Sequence, residues 1–308
     1  MGQRPNKSIR FMWRASRNLV CAFPSGRRRL FPLQALSRNF GRGDADYAIR
    51  VFLHHYRQLD AAGFRSARRV LEVGPGRNLG TALLMWVLNR RRSGRDVTVV
   101  LWDVFSNMSV ARADLQGVAQ SLLEVPALHD LAREIDHLAL VLDLKAVRDG
   151  DTMPDIRYLI QPLAQFAESV GAERFDLIYS QAAIEHIWDI ESFWTTIIGL
   201  TAIGGWHRHR IDLADHGRRE TNYIEMLEWS PLAYWLTMRF VPGAINRWRA
   251  SMHLDFIQRQ GMTVKSVQRE MRPALPVPRN RIHATFRNLA NSDLRTTALD
   301  LVAVRASG

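Results

Sequence analysis

The sequence predicts an α/β fold in which helices cover both faces of a mostly parallel β-sheet. Strand-like runs recur at about residues 69–73, 97–102, 156–160 and 175–179 of the 308-residue chain, and helical stretches separate them. This alternation is typical of βαβ units, whose parallel strands need helical crossovers. A second observation is a glycine turn that joins the first strand to an apolar helix. The apolar fraction, 47%, is that of a globular protein with a substantial core.

The turn after the first strand is the most informative segment. Residues 70–80 read VLEVGPGRNLG, which indicates a buried strand, two glycines and then a helix from Thr81 to Leu88. Such a turn presents backbone N–H groups at a helix N-terminus, and its glycines let a ligand approach the main chain closely. The residues expected to bind a nucleotide-like cofactor are Glu72, Gly74, Pro75, Gly76 and Asn78. A plain strand-to-helix turn without a ligand is the alternative.

The glycine spacing bears on which cofactor this is. A dinucleotide fingerprint reads G-x-G-x-x-G, whereas the spacing from Gly74 is one residue longer. The second strand ends at Asp103, and an acidic residue at that place can accept both hydroxyls of a ribose. The pattern therefore favours an adenosine-containing cofactor and weakens an NAD interpretation.

A second motif lies about a hundred residues further on. Residues 175–187 read FDLIYSQAAIEHI. Together with Glu72 and the glycine turn, this motif resembles the class I S-adenosylmethionine-dependent methyltransferases. The resemblance covers roughly Tyr47 to Arg305. It is nearest to bacterial small-molecule or glycan methyltransferases with a later H-x-I/V-D-L-x-D-H segment, which here is HRIDLADH at residues 209–216.

The resemblance carries expectations about fold and activity. It implies a Rossmann-like, seven-stranded, mostly parallel sheet with helices on both faces, the last strand antiparallel, and a small helical insertion as a lid. It implies S-adenosylmethionine as cofactor and a small-molecule or glycan acceptor, methylated at oxygen. It adds Gln161, Ser180 and Gln181 to the expected cofactor contacts. Two positions depart from the pattern: Asn78 replaces a frequent third glycine, and Gln161 stands where an acidic residue is common.

Candidate catalytic residues follow the fourth and fifth strands, because ligands bind at the carboxyl ends of strands in open α/β sheets. We expect His216 to be the base that deprotonates the acceptor, then His209, with His186 nearer the cofactor. A carboxylate such as Asp212 or Asp215 would orient the imidazole. Alternatively, these Asp and His side chains cap a turn or bind a divalent ion. The aspartates are not placed as they are in the metal sites of catechol-type methyltransferases, so the sequence predicts no metal.

The remaining strands and helices are assigned from local patterns. A fifth strand is predicted from Arg208 to Leu213 after a turn at Gly204 and Gly205, and the last two strands at 262–268 and 298–305. A helix is predicted over 45–62, and two more over 108–123 and 128–144. His207, without supporting context, is expected at the surface.

Most of the net charge of +12 belongs to the N-terminus, because residues 1–45 carry ten Lys/Arg and one Asp. The near-neutral remainder gives no argument for nucleic acid. We predict a basic extension, residues 1–45, before a methyltransferase domain, residues 46–308, with a lid insertion at 217–250. The extension also carries bulky apolar residues, so it either stays flexible, packs on the domain or a partner, or contacts an anionic membrane peripherally.

The lone cysteine, Cys21, excludes an internal disulfide and fits a reducing compartment, so a cytoplasmic location is expected. No apolar run approaches the roughly 18 residues of a membrane span, and no signal-peptide pattern is present. A non-catalytic scaffold that keeps the fold, and an RNA or protein methyltransferase that uses the basic extension, are the competing hypotheses. The acceptor and the oligomeric state stay open.

Overall fold

A computed structural model describes residues 7–23, 25, 42–104, 110, 112–131, 135 and 137–306. Within them, seven strands form one sheet in the order β3-β2-β1-β4-β5-β7-β6. The strands are β1 Arg69–Val73, β2 Thr98–Asp103, β3 Asp155–Ile160, β4 Phe175–Gln181, β5 Thr201–Asp212, β6 Met262–Met271 and β7 Thr296–Arg305. β1 to β5 pair in parallel, and β7 runs antiparallel between β5 and β6. This confirms the predicted sheet, including its antiparallel last strand.

Helices cover both faces of the sheet. The helices are α1 Lys7–Ala22, α2 Arg42–Ala61, α3 Leu79–Ser93, α4 Arg112–Leu123, α5 Ala127–Leu131, α6 His137–Asp149, α7 Leu163–Val170, α8 Ile190–Gly199, α9 Pro231–Met238, α10 Ala250–Arg259, α11 Ala284–Arg287 and α12 Asn291–Arg295. Helices α2 to α6 pack on one face, and α7, α8 and α10 on the other. Because both faces are covered, β1, β2 and β7 are buried almost throughout, as their continuous apolar runs predict.

The fifth strand is longer than predicted. It begins at Thr201, and Gly204 and Gly205 lie inside it rather than in a preceding turn. The pairing with β4 is interrupted there, since Phe175 opposes Thr201 but Leu177 opposes Trp206. Gly204 has φ +74°, so the interruption uses a backbone conformation that only glycine adopts freely. The predicted turn is therefore a bulge within the strand.

The predicted lid forms a third apolar cluster. Tyr223, Trp229 and Tyr234 are buried in it together with Ile282 and Phe286 from the segment before β7. Most of the aromatic residues of 217–250 are thus core residues rather than an open platform. Trp235, which is 46% exposed, is the exception that faces outward.

Part of the basic extension is an ordered helix on this lid. The guanidinium of Arg14 pairs with Glu225 at 2.7 Å, and Asn18 donates to the Leu236 carbonyl at 3.0 Å. The backbone N–H of Phe240 in turn donates to Asn18. Residues 26–41 of the extension and the first residues of the helix predicted from 108 lie outside the described residues. Among the described residues, no helix combines the length and apolarity that a membrane span requires.

Candidate functional site

The glycine turn forms a cradle at the carboxyl edge of the sheet. Gly74 and Gly76 have φ values of +66° and +63°, which bend the chain sharply out of β1. A Cβ on Gly74 would lie 2.5 Å from the Cβ of Ala183, so the turns after β1 and β4 touch here. A Cβ on Gly76 would meet nothing within 4 Å. The main chain at Gly76 therefore borders open space that a ligand can enter.

Asn78 begins the helix that follows this cradle. Its side-chain oxygen accepts a hydrogen bond from the Gly80 N–H at 3.0 Å, which caps the N-terminus of α3. Its side-chain nitrogen donates to the carbonyl of Asp44 in α2 at 2.9 Å. The side-chain amide of Asn78, which stands where a third glycine is frequent, thus joins α3 to α2. Both polar atoms of its side chain have partners, and its backbone N–H donates to the Pro75 carbonyl at 3.3 Å.

Glu72 lies beneath the cradle as a buried acid. Its side chain is 4% exposed, and the Tyr179 hydroxyl donates to its Oε2 at 2.6 Å. Burial raises the pKa of Glu72 to about 8, since water no longer stabilises the carboxylate. Tyr47 of α2 was not singled out from the sequence, yet burial and the charge of Glu72 raise its pKa. These residues border the cradle on the face covered by α2.

The ends of β2 and β3 meet beside the cradle. Asp103 is half-buried, and its Oδ1 accepts a hydrogen bond from the Val104 N–H at 2.7 Å. The Gln161 N–H donates to the Asp103 carbonyl at 3.0 Å. The Gln161 side chain bonds to Ser169 of α7, and its carbonyl accepts a hydrogen bond from Nε1 of Trp102 at 2.9 Å. The Oε1 of Gln181 is buried and has no hydrogen-bond partner among the described residues.

Ser180, predicted to contact the cofactor, and His209, predicted as a base, both belong to a buried series of hydrogen bonds. The Oγ of Ser180 lies 2.8 Å from Nδ1 of His209, whose Nε2 lies 3.0 Å from Nδ1 of His207. Nε2 of His207 then lies 2.7 Å from the hydroxyl of Thr201. That hydroxyl donates to the Ile197 carbonyl at 2.9 Å, so His207 donates to Thr201, His209 to His207, and Ser180 to His209.

These hydrogen-bonded side chains lie on the face of β5 that α8 and α10 cover. The ring of Trp194 packs 5.2 Å from that of His209, and all four polar members of the chain are fully buried. Burial lowers the pKa of His209 well below its ordinary value and that of His207 to about 3. Both rings therefore stay neutral, with each nitrogen bonded. Neither nitrogen of His209 is open to an acceptor in this arrangement, and His207 is a core residue rather than the surface residue that was expected.

Two of the predicted catalytic residues, His186 and His216, converge with Glu185 of the second motif. One ligand atom from each lies within 4.8 Å of the others. Glu185 and His186 form the 3₁₀ turn Ile184–His186 after β4, and His216 follows β5. The two histidine rings meet edge to face at 5.2 Å. The carboxyl ends of two neighbouring strands thus bring together residues that are distant in sequence.

Each histidine of this group has one nitrogen fixed by the protein. Nδ1 of His186 lies 3.2 Å from the carbonyl of Ala244 in the lid, to which it donates. Nε2 of His216 lies 3.2 Å from Oδ2 of Asp212. Asp212, rather than Asp215, is therefore the carboxylate that orients His216. Both rings are exposed on one side, so Nε2 of His186 and Nδ1 of His216 can reach a bound molecule.

Glu185 completes the group as a buried carboxyl. Its side chain is 2% exposed, and neither carboxyl oxygen has a hydrogen-bond partner among the described residues. Burial raises the pKa of Glu185 to about 7. The lid holds the turn from outside, since the Asn246 N–H donates to the Glu185 carbonyl at 2.5 Å and its side chain donates to the Ile184 carbonyl.

A groove of about 430 Å³ lies at the opposite, amino edge of the sheet. It is lined mainly by charged side chains, among them Arg69, Asp96 and Arg174. Asp176 there already accepts the backbone N–H groups of Arg68 and Arg69. None of the predicted site residues contacts this groove.

Comparisons with known proteins give similarity of structure only. No protein-family model matches the sequence, and no curated protein is significantly similar to it. An O-methyltransferase family protein from Burkholderia thailandensis is 15% identical, over 94% of this chain and 62% of that chain, with a TM-score of 0.41. The N-methyltransferase NodS from Bradyrhizobium japonicum, in complex with S-adenosyl-L-homocysteine, is 12% identical over 95% and 97%, with a TM-score of 0.38. The CurJ carbon methyltransferase is 12% identical over 99% and 72%, with a TM-score of 0.43. Sequence identities and TM-scores this low carry no argument about function, which must be inferred from the residues of the site.

Proposed function

We propose that the protein transfers a methyl group from S-adenosylmethionine to a hydroxyl of a small-molecule or glycan acceptor. The observation that carries the proposal is the glycine cradle at Gly74–Gly76, open to solvent at Gly76 and flanked by Asp103 on the sheet that the resemblance predicts. The Gly74 N–H donates to the Trp102 carbonyl at 2.9 Å and Pro75 has no N–H, so the N–H of Gly76 faces the methionine end of the donor, and Glu72 orients its ammonium. Asp103 accepts the ribose hydroxyls.

The acceptor lies beside Glu185, His186 and His216. Because Gly74 contacts Ala183, two residues before Glu185, this group borders the donor cradle directly. The donor supplies an electrophilic methyl carbon: the acceptor oxygen forms the new C–O bond, and the electrons of the C–S bond remain on sulfur. The acceptor proton must leave. His216, the first of the predicted bases, is held through Nε2 by Asp212, so the lone pair on its Nδ1 can take this proton.

Titration with S-adenosylhomocysteine, the demethylated product of the donor, tests the donor site. We expect calorimetry to show one saturable site on the wild-type protein and a large loss of affinity in Asp103→Ala. Asp96→Ala is the matched control, because Asp96 is exposed just before the other end of the same strand. Equal affinity in the two variants would remove Asp103 from the site, and no binding by folded wild-type protein would refute the proposal. Binding without methyl transfer to any fraction of a cell extract would favour the scaffold alternative.

We also propose that α1 contacts the cytoplasmic surface of an anionic membrane. The outer side of this helix exposes large apolar side chains, with Met12 at 62%, Trp13 at 61% and Leu19 at 65%. Leu232 and Trp235 of the lid are exposed as well, on the helix against which α1 packs. An apolar surface within a segment of net charge +9 suits lipid with anionic headgroups.

Vesicle sedimentation tests this second proposal. The protein should bind phosphatidylserine vesicles more strongly than neutral ones, and Trp13→Ser should weaken the binding severalfold. Leu142→Ser, at a 54% exposed leucine of α6, serves as the matched control. Equal binding of Trp13→Ser and the wild type would contradict it, and steeply salt-dependent binding to RNA instead would favour the nucleic-acid alternative.

A further inference from the structure

We propose that Glu185, His186 and His216 bind a divalent transition-metal cation at the acceptor side of the site. Binding of the cation itself stands on the geometry alone. The role assigned to it in methyl transfer rests on the proposed function.

The buried carboxylate of Glu185 lacks the partners that such a group needs. A buried carboxylate normally accepts several hydrogen bonds, and one without partners costs substantial free energy. Glu185 is only 2% exposed, and neither of its carboxyl oxygens bonds to any residue that the structure describes. The nearby cations do not supply the missing contacts: Arg219 pairs with Asp212, and Arg210 pairs with Asp300 and Glu270. A cation held between Glu185 and the two histidines would supply them.

The two histidine rings are oriented as metal ligands are. His186 donates from Nδ1 to the Ala244 carbonyl, and His216 is held through Nε2 by Asp212. Each ring therefore presents the lone pair of its other nitrogen. Histidines that ligate metals are held in this way, with the second N–H bonded to a carbonyl or a carboxylate. The contact with Asp212 and the contact with Ala244 are thus the outer interactions that such a site requires.

The three side chains also form a suitable set of ligands for a metal. Two imidazoles and one carboxylate suit Zn²⁺, Fe²⁺ or Mn²⁺ and leave positions open for a substrate. The ligand atoms already lie within 4.8 Å of one another, so small side-chain rotations bring them onto one ion. The single cysteine, Cys21, is buried in α1 and belongs to another part of the protein.

A cation at this place changes the role of His216. It would bind the acceptor hydroxyl and lower its pKa, so that the proton passes to solvent and the oxygen attacks the methyl carbon. His216 would then be a ligand rather than the base. The acceptor class that follows is an alcohol or phenol whose oxygen can reach the open position of the ion.

Direct metal titration tests the inference without any need for turnover. Full-length protein without an affinity tag, first treated with a chelator, is titrated with Mn²⁺ by electron paramagnetic resonance and with Zn²⁺ by calorimetry. We expect one site per chain, lost in Glu185→Gln and in His216→Gln. Asp212→Asn should weaken binding by about 10–100-fold, the usual effect of removing the partner of a ligating histidine. Glu168→Gln, on the exposed side of α7, is the matched control.

The outcomes separate this inference from the proposed function. Binding of S-adenosylhomocysteine that is retained in Glu185→Gln, together with loss of the metal, supports the site and also shows that the variant is folded. No saturable metal binding by the wild type overturns it, as does equal metal affinity in Glu185→Gln and Glu168→Gln. If the donor product does not bind but the metal does, the cation site stands while the proposed function fails.

Discussion

Glu72→Gln should change how the free energy of unfolding depends on pH. Glu72 is fully enclosed, and burial raises its pKa from an ordinary 4.5 to about 8. The folded protein therefore holds a proton that the unfolded chain releases above about pH 4.5. Stability from this group is fully present below that pH and is lost as the pH rises towards 8, because the unfolded state binds fewer protons. Glutamine resembles the protonated acid in shape and cannot ionise.

The expected size of the effect follows from the pKa. One pKa unit corresponds to about 1.4 kcal/mol, so the contribution of Glu72 falls by about 3 kcal/mol between pH 4 and 7 and by about 5 kcal/mol above pH 8. Other groups titrate as well, and subtracting the curve of the Gln variant from that of the wild type isolates Glu72. Urea unfolding at about pH 5, 7 and 9 measures both curves.

The stability curves of the wild type and of Glu72→Gln should diverge as the pH rises. Near pH 5 the variants should be similar in stability, with Tyr179 still donating to the side chain at position 72. Near pH 9 Glu72→Gln should be the more stable protein by several kcal/mol. Parallel curves over this range would refute the reasoning, since they would mean that Glu72 ionises in the folded protein as freely as in the unfolded chain.

Two further predictions concern the cradle and the buried histidine chain. Gly74→Ala should destabilise the protein by about 2–5 kcal/mol, because its positive φ and the 2.5 Å approach to Ala183 both oppose a Cβ. Gly63→Ala is the control, because Gly63 also has a positive φ but open space around it. Equal losses of stability in the two variants, measured by thermal unfolding, would contradict the contact with Ala183. Ser180→Ala should cost about 1–3 kcal/mol by leaving His209 Nδ1 without a donor. The same variant should bind S-adenosylhomocysteine as the wild type does, and a severalfold loss of affinity would return Ser180 to the cofactor site.

The parts of the molecule that follow from local sequence were predicted correctly. The first four strands begin and end within two residues of the predicted bounds, because their apolar runs are short and are bounded by turns. The cradle is equally local, since Gly74 and Gly76 lie two residues apart on one turn. The helix predicted over 45–62 begins at Arg42 and ends at Ala61.

The parts of the molecule that depend on packing between distant segments were not predicted from the sequence. The alternation of side chains along β5 correctly places His209 and Ile211 on the same face of the sheet. That this face is buried, however, depends on the packing of α8 and α10 against it. His-x-His in a central strand of a sheet covered on both faces could have signalled buried rings. The meeting of His186 with His216, and the placement of α1 on the lid, depend on how loops close, which no local pattern records.

The most direct test of the account is a crystal structure with S-adenosylhomocysteine bound. The ribose hydroxyls should lie within hydrogen-bond distance of Asp103, the methionine end against the backbone of Gly74 to Gly76, and the sulfur on the side facing Glu185 and His216. Clear density for the ligand elsewhere would contradict the account, as would an open cradle at Gly76 in crystals grown with saturating ligand.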